Sequence, residues 1–109
     1  MISRFGLLGA ALMCNLSPVA AQGPITQEQM HKAGMSVGVV TWAIRECQVV
    51  PTELFLRFYV TNMHSPTFMA GKNEGIEYIK QSAREVGTIR SCAMLRKLYS
   101  EELEFKFLQ

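Results

Sequence analysis

From Thr26 onward the apolar side chains recur every three or four positions, the period of a helix that lays one face on a core. Met30, Ala33, Val37, Val40, Ile44 and Cys47 are spaced 3, 4, 3, 4 and 3, which predicts a helix over about residues 27–48. Thr26-x-x-Gln29 ahead of it has the form of a capping box, in which each side chain satisfies the other residue's backbone N–H. Met35, Val39 and Trp42 widen the apolar face, and Gly34 and Gly38, four apart, let another backbone approach closely. Pro51 suits the first turn of a second helix, where its missing N–H costs nothing. Leu54, Phe55, Phe58, Tyr59 and Met63 carry that helix to about residue 63.

His64-Ser65-Pro66 breaks the pattern. A third helix within about 67–86 uses Phe68, Gly75, Ile76, Ile79, Ala83 and Val86. Gly71 and Gly75 weaken it, and Gly87 is placed to end it. Thr88 is placed to cap a fourth helix over about 89–99, with Ile89, Cys92, Ala93, Leu95, Leu98 and Tyr99 turned inward. The period then changes. Leu103, Phe105 and Phe107 alternate with charged residues, as in a strand, but no second strand candidate exists to pair with them. Residues from about 100 to 109 therefore read as an extended tail that lays its apolar side on the bundle or on a partner, with a short helix as the alternative.

The first residues follow none of these periods. Arg4, the apolar run Phe5 to Met13, and Asn15 to Ala21 with short side chains at Val19 and Ala21 read as an export signal over residues 1–21, cleaved before Gln22. The run is too short to span a bilayer. The rival readings are an uncleaved anchor or a lipoprotein at Cys14, although Met13 stands where a lipoprotein signal wants a small residue. Cleavage leaves 88 of the 109 residues, 22–109, as one helical domain with a small core that gains from a staple. It also removes Cys14 and leaves Cys47 and Cys92 as an even pair in an oxidising compartment. Two buried free thiols are the alternative. The fold class expected is all-α, a compact bundle of about four helices stapled by one disulfide.

Cleavage takes one of eleven basic side chains and none of the nine acids, all of them Glu, so the mature chain carries ten against nine. Charges this even and interspersed give no footprint for nucleic acid or for an anionic membrane surface. Lys80, Arg84, Arg90, Arg96 and Lys97 are interrupted by Glu77 and Glu85 and read as a solvated face.

Catalytic patterns are thin. Gly34-Met-Ser36-Val-Gly38 matches the Gly-x-Ser-x-Gly pattern of hydrolase nucleophiles, but that motif needs a strand and a sharp turn, and here it lies within a helical period. Close helix packing is the better explanation. Intramolecular packing is favoured, with a homodimer face as the alternative use of Gly34 and Gly38. Glu28 and His31 share a helical face, yet no fuller ligand set for a metal accompanies them. His64 reads as a polar residue at a helix end. No catalytic residue, cofactor or metal is expected.

The apolar surplus is the remaining signal. Met35, Trp42, Met63, Phe68, Met69, Phe105 and Phe107 are either core or a surface patch that meets a partner, since Met and aromatic residues serve in both.

Trp42, Cys47, Pro51 and the segment Ser91-Cys92-Ala-Met-Leu-Arg-Lys-Leu-Tyr99 give the chain a layout that resembles small exported helical proteins of Gram-negative bacteria. The resemblance covers about residues 38–99 and brings no catalytic residues. In size, export and one long-range disulfide, the chain is also similar to periplasmic acid-stress chaperones and to periplasmic toxin-immunity proteins. The function expected is a non-enzymatic periplasmic or secreted module that binds another envelope protein, as a stress or assembly factor. The alternatives are an acid-activated chaperone, an immunity protein and, remotely, a Ser36 hydrolase.

Overall fold

The computed structural model describes residues 25–109; the export signal, its cleavage before Gln22 and Cys14 lie outside the described residues. The order is α1 (Gln27–Glu46), α2 (Glu53–Asn62), α3 (Pro66–Val86), α4 (Thr88–Lys97), then a π-helical turn, Leu98–Glu102, and an extended tail. Among the described residues the all-α bundle, its four α-helices and the Cys47–Cys92 disulfide agree with the apolar periods and the cysteine pairing.

Local chemistry sets the helix ends. At the start of α1, Thr26 Oγ1 accepts from the Gln29 N–H at 3.0 Å and Gln29 Oε1 accepts from the Thr26 N–H at 2.8 Å. That helix stops at Glu46, two residues earlier than its period implies, because Gln48 takes a left-handed φ of 55°. Pro51 lies just outside α2; Thr52 caps that helix, and Ser65 caps α3. Gly87, at φ 99°, ends α3 and opens α4 in a single residue. Thr88 is thus already helical and caps nothing, contrary to its sequence reading.

Two long helices form the frame. Gly34 and Gly38 of α1 face the backbone of α3 at Phe68 and Lys72, while Gly71 and Gly75 of α3 face the backbone of α1 at His31 and Met35. The contacts advance together along both chains, so α1 and α3 run parallel. A Cβ at any of these four glycines would collide with the facing carbonyl oxygen. Gly71 and Gly75, which from sequence only weakened the third helix, form half of this seam. At its amino-terminal end the Thr67 hydroxyl donates to Gln27 Oε1 at 2.9 Å, and His31 Nε2 lies 3.0 Å from Glu74 Oε1.

The disulfide fixes the roll of α4. Cys47 caps the carboxyl end of α1 and bonds Cys92 across 5.5 Å between Cα atoms. Arg96 adds a hydrogen bond at 2.8 Å to the Cys47 carbonyl. Ser91, Cys92, Leu95 and Tyr99 then face the core. Ile89 and Ala93, expected inward, are turned out, and Ile89 is 87% exposed.

The tail folds onto the bundle as an extended segment, and among the described residues no strand pairs with it; it meets the α2 lead-in at one isolated bridge. Thr52 N–H donates to the Phe107 carbonyl and Gln109 N–H to the Val50 carbonyl, each at 3.0 Å, around one antiparallel bridge between Pro51 and Leu108. Pro51 sits at the non-hydrogen-bonded position of this bridge, where its missing N–H costs no pairing, and α2 begins at Glu53, so the pairing stays one bridge long. Leu103, Phe105, Phe107 and Leu108 are all buried.

Gly38→Ala forces a methyl against backbone and should cost about 1–3 kcal/mol by the usual scale of overpacking, read by urea unfolding of the oxidised protein. An unchanged midpoint would contradict the seam. Replacing both Cys47 and Cys92 by Ser opens a loop with a sequence separation of 45, which the chain-entropy account sets at about 4 kcal/mol. The same titration reads that loss, and equal stability of the two proteins would contradict the staple.

Candidate functional site

The residues nominated from sequence as partner contacts divide in the fold. Trp42, Phe68, Phe105 and Phe107 are at most 5% exposed and belong to the core. Phe107 is the hub of an aromatic cluster, with ring centroids 5.4 Å from Phe55, 5.5 Å from Phe58, 4.9 Å from Phe105 and 5.9 Å from Tyr99. Phe68 packs edge-on to Phe58 at 6.0 Å. These four are corrected to internal roles: the tail returns under the inner face of α2, so Phe107 fills the space beneath Phe55 and Phe58 with Phe105 behind it, while Trp42 and Phe68 are buried on α1 and α3. Met35 and Met69 are half-buried, and Met69 packs against the core. Of the seven, Met63 alone is exposed, at 40%.

What lies on the surface instead is the outer face of α2. The inner side presents Leu54, Phe55, Phe58 and Tyr59 to the tail and to Phe68. The outer side presents Leu56 at 50% and Val60 at 60% exposure, and Met63 follows at the helix end. Offsets of four and seven place the three in one stripe. Val50, in the extended lead-in, is 55% exposed. Glu53 and Arg57 are exposed beside it, and neither makes an ion pair or hydrogen bond among the described residues. An apolar stripe opposite a packed face widens the apolar part of α2 beyond what its own core contacts use. The signal was present in the unbroken apolar neighbours Leu54-Phe55-Leu56 and Phe58-Tyr59-Val60, which a one-face reading divides and discards.

The other nominated groups have internal partners. Ser36 sits mid-helix in α1, half-buried, against the hydroxyl of Tyr99. His31 turns to Glu74 and leaves Glu28 to Lys32 at 3.4 Å. Among the described residues no three His, Cys or acidic side chains gather as a metal site. Nor is any described helix long and apolar enough to cross a membrane. The basic stretch is engaged piecemeal: Lys80 with Glu77, Lys97 with Glu102, Arg84 with Gln81 and Arg96 with the Cys47 carbonyl. A hollow of about 190 Å³ opens at the paired starts of α1 and α3 beside Thr26 and Ser65. Both hydroxyls there are already occupied in capping their own helices.

Comparison of the chain with protein-family models, with curated proteins and with solved structures gives no match.

Burial pushes the Tyr99 phenol above its ordinary value of 10.0, and the Ser36 hydrogen bond offsets part of the rise. The fold thus favours the neutral phenol. Its contribution is whole below the unfolded value near 10.0 and is lost as pH climbs through the higher folded value. Urea midpoints measured between neutral pH and pH 11 should fall more steeply for the wild type than for Tyr99→Phe. Parallel curves would contradict a buried, neutral Tyr99.

Proposed function

We propose that this chain is a non-enzymatic, exported protein-binding module, a disulfide-stapled helical scaffold that works outside the cytoplasm in the bacterial envelope. The observation that carries the reading is the outer face of α2, where Leu56, Val60 and Met63 stand 50%, 60% and 40% exposed on a helix whose opposite face is already packed. An apolar stripe in that setting is the ordinary mark of a protein contact. The Cys47–Cys92 bond supports the compartment, since such long-range bonds persist where thiols are oxidised. Fixed at the carboxyl end of α1, it helps hold the platform on which the tail and α2 rest.

A photo-crosslinking residue at Val60 in the exported chain should yield protein adducts in intact cells. The same residue at Tyr78, exposed on α3, should yield none, and Leu56→Asp should abolish the Val60 adducts. Absence of adducts at Val60, or equal adducts at both positions, would overturn the assignment.

A further inference from the structure

We propose that the outer face of α2 is covered by a second copy of this chain, in an antiparallel two-fold pairing. The inference rests on reading that face as a docking surface, and it names the occupant. Its ground is that the charged and apolar groups there complement themselves. Glu53 and Arg57 are one turn apart, about 6 Å along the axis. At 3.6 residues per turn they lie on the same flank of the Leu56, Val60 and Met63 stripe. Both are exposed, and neither has a partner among the described residues.

Turning a copy end over end about an axis that lies between the two copies, perpendicular to α2 and level with the midpoint of these two residues, keeps that flank on the same side. Glu53 of each copy then comes opposite Arg57 of the other, twice over. Leu56 sits beside the axis and meets its own equivalent. Val60 lies roughly 7 Å beyond the axis. Its 60% exposed side chain reaches toward the amino-terminal end of the other copy's α2. An interface of this kind uses the same patch on both copies and closes at two.

The magnitude follows from the size of the patch. Three half-exposed apolar side chains and two charges cover less than the roughly 800 Å² per partner of a standard stable interface. The pair is accordingly weak, and its population depends on concentration.

Sedimentation velocity of the oxidised protein, from micromolar to millimolar, tests the pairing, with circular dichroism confirming that each variant is folded. The wild type should shift from monomer toward dimer as concentration rises. Glu53→Arg alone or Arg57→Glu alone sets like charges opposite each other and should weaken association about tenfold or more. An equimolar mixture of those two variants, and the double variant Glu53→Arg with Arg57→Glu, should both recover it. A wild type monomeric up to millimolar, or association indifferent to the single reversals, overturns the pairing. Val60 adducts formed with a different protein while the chain sediments as a monomer would leave α2 as a docking face and overturn the self-pairing alone.

Discussion

The backbone contact between α1 and α3 is the constraint from which the other features descend. Four glycines, two on each helix, remove the side chains that would otherwise hold the helices apart. The approach is close because there is no Cβ, and it yields carbonyl contacts and dispersion rather than buried side-chain area. Consecutive helices with short connections usually pack antiparallel, but this seam joins the first and third helices in parallel. The chain must therefore travel back along the bundle between them, and α2 is the segment that does so.

That return leaves α2 without a helix of its own to lie against. Its hold on the fold is aromatic: Phe55 and Phe58 reach Phe107, while Phe58 and Tyr59 reach Phe68. Phe107 is available because the tail doubles back beside Val50 to Thr52, and because Tyr99 lies parallel to its ring within 3°. Tyr99 belongs to the stretch that follows α4, whose roll the disulfide sets. Seam, staple and tail are thus successive supports of one helix, and the side of α2 that needs no support is the side left bare. Structure and proposed use meet at that point, since a face excluded from the core by topology is free to be selected for a partner.

Much of this architecture was legible in the chain. The capping box at Thr26 and Gln29, the three-four spacing from Met30 to Cys47, the break at Ser65-Pro66 and the stop at Gly87 are local signals, and helices obey local signals. The cysteine pair was legible because only one pairing exists once Cys14 is set aside. What escaped were the non-local choices. Gly34 and Gly38 announced a close approach but not its partner, while Gly71 and Gly75 passed for mere weakness because propensity says nothing about packing. The tail's alternation was visible, yet its pairing is one proline-containing bridge, too short to leave a pattern. Phe105 and Phe107 looked like a surplus because the space they fill is created by tertiary folding. Leu56 and Val60, which stand at the surface of α2, were hidden by the assumption that each helix has a single apolar face.

The seam also accounts for the direction of every later contact, so its polarity is the central claim. Backbone nuclear Overhauser contacts in the isotopically labelled, oxidised protein report that polarity directly. Parallel packing requires the α protons of Gly34 to lie near the Phe68 and Lys72 backbone, and those of Gly38 near Lys72 and Ile76, the two advancing together. Contacts of Gly34 with Ile76 and of Gly38 with Phe68, the crossed pattern of an antiparallel pair, would contradict it.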